Sequence, residues 1–452
     1  MNLRTKKAET FAFSIVSILF CALCFFSSCN GLAVAQEVPG KPPLTTTDPT
    51  DPFGDADPIA LLKKSESTSV APLEAASTLD LRASVYVKLQ QNRYTDEAAS
   101  AARRVEHKTI GLARFTASDT LDQERQWRWL FKGFASSETI RQGDGVIGSY
   151  ARVDELFVDW KADSVFASVG KRRLNWGHAQ GFNVVNVVAP NRDPLNPDFE
   201  TEGQAMAWVN YRGMLSTDLI YTRGNYRDDT AGAGKQGGDK ARWAWRWHLP
   251  SNNLDFSLLH YDGVNYQDGR PFERMTGLSL SANLAPGLTA YAELAQFSHN
   301  YRPYFNATLR PESRDKPYRK KLLGALYDFG DKSSIFAEAF YNDGGMSDAD
   351  RQLWWRAVER QVASTKQFVA FGMNRRYYLL GYKKEYLEKF STNLNLILAA
   401  DHSLNARLEA AYLVTDYIDV KAIFSRSTGK AGTEFRSNPY ARQFEIELSA
   451  HF

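Results

Sequence analysis

The last residues of the chain alternate strictly between apolar and polar side chains. Successive side chains of a β-strand point to opposite faces, so this segment predicts a strand with one apolar face and one ionisable face. The alternation runs for ten residues and ends on an aromatic residue, which is longer than a half-exposed strand of about five residues in a soluble sheet. The apolar parity consists of Phe444, Ile446, Leu448, Ala450 and Phe452, and the polar parity consists of Gln443, Glu445, Glu447, Ser449 and His451.

The same alternation recurs along the chain from Leu79 onward. Clear examples are 127–131, 156–160, 243–247, 288–294 and 418–424. Tight turns are predicted at 250–253, 285–287, 330–332 and 415–417, and long gaps at 91–106, 137–148, 175–202, 225–239, 262–271, 300–315, 344–375 and 427–440. Short and long connections in alternation are typical of a transmembrane antiparallel up-and-down β-barrel with short periplasmic turns and longer extracellular loops. We predict an all-β fold of this kind over 79–452, with 18 strands, or 16 as the alternative.

The long gap 344–375 contains a pattern of its own. Ser347 and Asp350 form the start signal of a helix, because a serine cap and acidic residues in the first turn satisfy free backbone amides. Leu353, Ala357 and Val362 then repeat at helical spacing. The pattern predicts a short helix in an extracellular loop, ending near Ser364.

Composition supports a membrane barrel and excludes other classes. A mean hydropathy of −0.41 is too polar for a bundle of membrane helices, whereas a barrel exposes only alternate strand residues to lipid. Aromatic residues make up 13% of the chain, as expected if they form girdles at the two membrane interfaces. The net charge is only +3, and two of these charges come from the first nine residues. We therefore predict no nucleic-acid partner.

The first 35 residues are typical of a cleaved signal peptide. A basic start at 4–7 precedes an apolar run at 11–26, and the small residues 33–35 provide a cleavage site before Gln36. Lipidation at Cys29 is an alternative, although Phe26 stands where such sites usually have leucine, and a single membrane anchor is another. The proline-, aspartate- and threonine-rich stretch 36–78 is predicted to be a flexible periplasmic segment.

Cysteines occur only at positions 21, 24 and 29, inside the predicted signal peptide. The mature chain would therefore have no disulfide, no cysteine metal site and no cysteine nucleophile. The seven histidines do not form a His-Glu-x-x-His motif, and the chain lacks a Gly-x-Ser-x-Gly elbow. The His-Ser-Leu-Asn run at 402–405 is explained by turn chemistry. We predict no enzyme activity, no cofactor and no metal.

The stretch most suggestive of function is 169–177, Val-Gly-Lys-Arg-Arg-Leu-Asn-Trp-Gly, followed by a proline- and asparagine-rich segment up to Pro197. Lys171, Arg172 and Arg173 cannot all face lipid, where a charge at the midplane costs about 2–4 kcal/mol. At least two should face the lumen or lie at the rim. With Arg242 and Arg246 they would form a partly cationic wall, which favours anions.

The alternative is that these cations pair with carboxylates on neighbouring strands, among them Glu155 and Asp159. Trp176 and His178 follow the basic run directly, so they are candidates for contact with solute. The predicted pore-lining set is therefore Glu155, Asp159, Lys171, Arg172, Arg173, Trp176, His178, Arg242 and Arg246.

Two of these stretches resemble known proteins. The closing strand is similar to that of bacterial outer-membrane β-barrels, whose terminal aromatic, here Phe452, is read by the barrel-assembly machinery. The 169–177 stretch resembles alginate-export-type porins and an uncharacterised barrel group linked to lipid export. The resemblance implies that the loop 175–202 folds inward and narrows the pore. It also implies contact with outer-membrane lipid and lipopolysaccharide.

The sequence thus predicts a channel of the bacterial outer membrane that passes or exports a small polar solute or polysaccharide, with anions as a favoured class. An alternative is a non-conducting barrel that acts through its loops in adhesion, as a scaffold or as a secretion partner. A further alternative is an outer-membrane hydrolase.

Overall fold

The computed structural model describes residues 79–452 except 95–104, 122–125, 142–143, 183, 187, 189–193, 196–202, 224–240, 252, 265–272, 301–303, 313–315, 364–372, 387–388, 431 and 438–439. The predicted signal peptide 1–35 and periplasmic segment 36–78 lie outside the described residues and remain predictions.

Within the described residues, 18 strands form one antiparallel sheet that closes on itself, as predicted. The first and last strands pair with each other from Ser84 opposite His451 to Tyr94 opposite Tyr440. The strands are β1 Asp80–Tyr94, β2 Val105–Thr120, β3 Trp127–Arg141, β4 Asp144–Lys161, β5 Val165–Arg172, β6 Gln204–Tyr211, β7 Ser216–Arg223, β8 Ala241–Pro250, β9 Leu254–Val264, β10 Glu273–Ala285, β11 Leu288–Phe297, β14 Tyr318–Asp328, β15 Ser333–Asn342, β16 Arg376–Tyr386, β17 Phe390–Ala399, β18 Leu404–Thr415, β19 Ile418–Thr428 and β20 Tyr440–His451. The two-residue strands β12 Tyr304–Phe305 and β13 Pro311–Glu312 pair outside the barrel.

Connections between strands alternate between two rims. Short turns such as 286–287 and 416–417 lie on one rim, which we call the turn rim and which also holds Phe452. The longer connections lie on the other, which we call the loop rim. One predicted long gap, 137–148, is wrong: β3 and β4 continue through it, with Ser137 opposite Ser149, so that only 142–143 join them. Strands beyond the lipid belt need no apolar face, so the polarity signal ends while backbone pairing continues.

One parity of each strand faces outward, and the side chains on this parity are mostly apolar, so the outer surface of the barrel is apolar. Large exposed apolar side chains occur on this parity all around the barrel, for example Val169, Trp247, Leu323 and Leu448. In water such a surface is costly, and in a bilayer it is favourable. The closed sheet leaves no free strand edge, which is the condition for crossing lipid with β-strands.

The inner wall has two different halves. From β5 to β17, inward positions are largely apolar and belong to one buried cluster: Phe166, Trp208, Ile220, Leu259, Met275, Phe297, Leu322, Phe340, Tyr377, Leu379 and Ile397. The described residues of the connection 173–203, which we call the inner loop, add Leu174, Trp176, Phe182, Val184 and Val185 to the same cluster. The inner loop therefore folds into the barrel and covers this half of the wall. From β18 through β20 and β1 to β4, inward positions are mostly charged or polar.

A second, smaller apolar cluster lies at the loop rim. The predicted helix is present as α1 Asp348–Glu359, with Ser347 and Asp350 forming a reciprocal cap. Trp354 and Ala357 of α1 pack against Tyr304 and Phe305 of the preceding loop. The helix ends five residues earlier than expected, and Val362 is half exposed. A 3-10 turn, Phe435–Ser437, lies in the last loop.

Candidate functional site

The inner loop starts halfway along the barrel wall because β5 and β6 have only eight residues each. Gly170 has φ +138°, and a Cβ at this position would lie 2.2 Å from the carbonyl oxygen of Leu156. Gly177 has φ +94°, and its Cβ would lie 2.4 Å from Oε1 of Glu293 on β11. Only glycine tolerates both conditions. The glycine of the Trp-Gly pair is thus required by the close approach of the loop to the opposite wall.

Two wall carboxylates hold the inner loop by its backbone. The amides of His178 and Ala179 donate to Oε1 of Glu293 at 2.6 and 3.0 Å. The next three amides, 180–182, donate to the carboxylate of Glu338 on β15, with 3.1 Å for Gly181 and 3.2 Å for Phe182. Glu338 also accepts a hydrogen bond from the Tyr291 hydroxyl at 2.8 Å. Five consecutive backbone amides therefore donate hydrogen bonds to two buried carboxylates. We call these two carboxylates the carboxylate latch.

Aromatic packing holds the same segment. Phe182 stacks on Phe340 with a centroid distance of 4.7 Å and lies 6.2 Å from the ring of Tyr377. The side chain of Trp176 is almost fully buried, and the guanidinium of Arg246 lies 5.5 Å from its ring centroid. Trp176 is therefore placed as an anchor of the loop rather than at an open surface.

His178 contacts the wall below the latch. Its Nε2 lies 3.4 Å from Oδ1 of Asp255 on β9, and Nε2 of His248 on β8 lies 2.8 Å from the other carboxylate oxygen. Asp255 thus joins a loop histidine to a wall histidine. In the part of the chain that the structure describes, no three histidine, cysteine or acidic side chains are grouped as metal ligands.

The three consecutive basic residues have different positions. Lys171 lies on the outward parity of β5, and its Nζ donates to the carbonyl of Val153. Arg172 faces inward and is buried, with Nη1 2.7 Å from Oδ1 of Asp159 and its guanidinium 4.4 Å from the Phe157 ring centroid. Arg173 opens the inner loop. Two of the three cations therefore face the interior. At least two were expected at the lumen or the rim, because a charge at the lipid midplane is costly.

A β-bulge on β4 supplies the carboxylates that meet these cations. Lys132 pairs with Glu155 in the sheet while the next residue, Gly133, pairs with Val153, so Asp154 is the extra residue. As a result Asp154 and Glu155 are both buried. The Arg173 guanidinium lies 3.6 Å from Asp154, and its backbone amide donates to Glu155 at 3.0 Å. Arg173 is thereby fixed at the base of the loop.

The remaining predicted site residues are also inward. Arg242 is buried beside the Tyr261 hydroxyl at 3.5 Å, and Arg246 donates to Asp218 at 2.6 Å. Glu155 faces Lys132 at 3.3 Å, and Asp159 joins Arg128 at 2.6 Å. Arg128, Lys132 and Arg246 thus pair with carboxylates, as in the predicted alternative to unpaired cations.

Sequence reasoning did not single out Glu293, Glu338 or Asp255, which hold the inner loop. A signal for the loop itself was present in β16, where Tyr377 and Leu379 are inward and Tyr378 and Leu380 are outward. Strands that are apolar on both faces are covered on both faces. Here one cover is lipid, and the other is the inner loop.

The described residues contain no helix that is long and apolar enough to cross a membrane.

No protein-family model and no curated protein sequence matches the chain. Among solved structures, the barrel is similar to Pseudomonas aeruginosa OccK5 (OpdH), with a TM-score of 0.51, 13% identity and coverage of 83% of this chain and 99% of that one. Pseudomonas aeruginosa OccK7 (OpdD) has a TM-score of 0.51 at 11% identity, over 84% of this chain and 99% of that one. The outer membrane protein opdK from Pseudomonas aeruginosa has a TM-score of 0.48 at 9% identity, over 82% and 99%.

The first two likenesses bear on the fold. They do not show the narrower resemblance to alginate-export-type porins, which stays a prediction. The general class predicted from the closing strand is confirmed, because the closed 18-strand sheet and its apolar outer surface agree with these likenesses. The fold is that of a bacterial outer-membrane β-barrel.

Proposed function

We propose that the protein is an outer-membrane channel that passes or exports a polar solute along the charged half of its inner wall. The observation that carries the proposal is the division of the lumen. The inner loop covers the apolar half, so the surface left for solute runs from β18 through β20 and β1 to β4. An uncovered apolar wall would favour loss of water from the pore, whereas a charged wall keeps it hydrated.

Charged side chains on this half are accessible from the lumen although they are paired. Lys88 on β1 contacts Glu445 and Glu447 on β20, and Lys108 on β2 lies 2.8 Å from Glu138 on β3. The Glu138 side chain keeps 27% of its surface exposed. Water therefore reaches inward positions on these strands.

The exposed ends of most pairs are cationic, which supports the finer proposal that the solute is an anion. The Arg128 side chain is 35% exposed and its partner Asp159 only 5%. Lys132 and Glu155 differ in the same direction, with 16% and 8%. The longer basic side chains extend past the carboxylates that neutralise them, so solute meets positive groups first. Glu138 and Lys108 are an exception, because Glu138 is the more exposed partner.

The test is single-channel conductance of the refolded chain from Gln36 onward in a planar bilayer, intact and with residues 178–199 deleted. The account predicts an open channel whose conductance rises on deletion. A reversal potential under a salt gradient then measures selectivity. Arg128→Gln should shift it toward cations and the matched variant Glu138→Gln toward anions. Equal shifts of the same sign would contradict the role of these side chains.

A second candidate is a non-conducting barrel that acts through its loops. Its support is the packed cluster of α1 with Tyr304 and Phe305 and the hydrogen bonds that join three loops at Asp401. An ordered rim of this kind suits recognition of a partner. A barrel that stays silent both intact and after deletion of 178–199 would favour this candidate over a channel.

A further inference from the structure

Three arginines lie side by side on the outside of the barrel. In the register of the sheet Arg442 on β20 is directly opposite Arg93 on β1 and Arg426 on β19. All three belong to the outward parity and are exposed. Adjacent strands lie about 4.8 Å apart, so the row spans about 10 Å across three strands. We call it the arginine row.

Nothing among the described residues explains the arginine row. Like charges placed directly opposite each other destabilise a sheet. None of the three arginines makes a hydrogen bond or an ion pair with any described residue. Elsewhere on the outer surface a basic residue has a partner: Arg274 on β10 lies 3.3 Å from Asp262. Repulsion between like charges therefore remains at the arginine row, whereas an acidic residue neutralises Arg274.

The height of the arginine row on the barrel indicates which part of the membrane it contacts. Directly below it toward the turn rim come Gln91, Phe444 and Phe424, and below these the outward rows are apolar. The apolar rows continue to Ala83 opposite Phe452 at the turn rim. At about 3.4 Å per residue the ten residues from Ala83 to Arg93 span about 34 Å of strand. Because the strands of such barrels are tilted by about 40°, this length rises about 26 Å across the membrane, close to an apolar band about 25 Å tall. The arginine row therefore lies where lipid headgroups begin on the loop side.

We propose that Arg93, Arg426 and Arg442 bind the phosphate groups of a lipid headgroup in the leaflet on the loop side. Guanidinium groups bind phosphate through paired hydrogen bonds and lose less hydration than ammonium groups. Three of them across about 10 Å fit a headgroup that carries more than one phosphate. Because the loops of outer-membrane barrels are extracellular, the lipid is the phosphorylated glycolipid of the outer leaflet, lipopolysaccharide. The contact would fix the closing seam between β1 and β20 in that leaflet.

The test uses the refolded chain in detergent micelles with purified lipid A, and bound lipid is counted by native mass spectrometry. Each interfacial arginine contributes about fivefold in affinity. Arg442→Gln should therefore bind bisphosphorylated lipid A about fivefold more weakly, and the triple variant R93Q/R426Q/R442Q about a hundredfold more weakly. The matched control Arg274→Gln, which removes an outward arginine that already has an acidic partner, should bind like the unaltered chain.

Several results would overturn the proposal. One is equal loss in Arg442→Gln and Arg274→Gln, which would mean that total positive charge governs binding. A second is equal binding of lipid A with and without its phosphates. A third is competition by millimolar inorganic phosphate, which would make the site one for a free anion. The triple variant R93K/R426K/R442K, which keeps the charge, should retain most binding when the barrel is folded. Its loss with a folded barrel would also contradict the proposal.

Discussion

The two halves of the inner wall differ in how they fill the space inside the barrel. Both must fill or hydrate the interior of an 18-strand barrel, which side chains alone do not fill. On the β5 to β17 half, apolar side chains are covered by the inner loop, and its backbone ends on Glu293 and Glu338. On the other half, cations and carboxylates from neighbouring strands neutralise one another. The comparison shows that one barrel wall can carry two kinds of surface, one that packs against a loop and one that is available to solute.

The largest expected effect comes from removing an aromatic side chain of the packed half. Phe182→Ala deletes the ring that stacks on Phe340, and truncation of a buried phenylalanine costs about 3–5 kcal/mol. If this energy holds the loop in place, amide hydrogen exchange of residues 176–186 should rise by at least about a hundredfold. Phe424→Ala, which removes an outward ring, should leave these amides unchanged. Equal exchange in the two variants would show that the loop does not depend on the stack.

The carboxylate latch should have the next largest effect. Glu338→Ala leaves the amides of residues 180–182 and the Tyr291 hydroxyl without their acceptor, which costs about 1–3 kcal/mol. We expect more frequent current fluctuations as the loop leaves the wall, and a smaller effect for Glu338→Gln, which keeps an acceptor. Glu447→Gln on the charged half is the control. Quiet channels in Glu338→Ala would contradict the latch.

Charge changes on the solute half should alter selectivity and leave the loop in place. Lys88→Gln uncovers Glu445 and Glu447, so the reversal potential should move toward cation preference. Lys171→Gln removes an outward cation and should leave the reversal potential unchanged. The pair of variants compares inward and outward placement of a lysine at constant change in charge. A shift in Lys171→Gln as large as in Lys88→Gln would contradict the placement of Lys171.

The smallest expected effect concerns the rim above the barrel. Burial raises the pKa of the Asp401 carboxyl, but hydrogen bonds from Ser403, Asn374 and the Glu434 amide outweigh it and leave the pKa below its ordinary value. Because the folded value is the lower one, Asp401 stabilises the rim above about pH 4 and loses this contribution as the pH falls through the folded value.

Limited proteolysis of the loops should therefore accelerate only in acid. In Asp401→Asn the rate should be less dependent on pH over this range. An unchanged acid response in that variant would mean that other groups control the rim.

Much of the fold was predictable because alternation of polarity reports directly on a wall with lipid on one side. The strand number, the tight turns and the cap of α1 at Ser347 follow from local rules. The gap at 137–148 was wrong because β3 and β4 extend beyond the lipid belt, where outward residues carry no polarity signal.

The candidate site was less predictable because it depends on contacts between distant strands. Of the three adjacent basic residues, Lys171 faces outward while Arg172 and Arg173 both face the interior, and parity alone did not assign Lys171 to the outside. The bulge at Asp154 changes which carboxylates face inward, and no local sequence pattern predicts this bulge. Glu293 and Glu338 look like ordinary inward residues until the inner loop reaches them.

The central claim, that solute passes along the charged half while the inner loop covers the other half, is tested most directly by cysteine accessibility. The chain from Gln36 onward has no cysteine, so single cysteines are unambiguous. Gln90→Cys lies on the charged half, and Ala295→Cys lies on the fully buried part of the apolar half. Each is treated with a charged, membrane-impermeant thiol reagent during single-channel recording. The account predicts a stepwise current block in Gln90→Cys and none in Ala295→Cys. Block of Ala295→Cys at the same rate, or no block in Gln90→Cys, would contradict it.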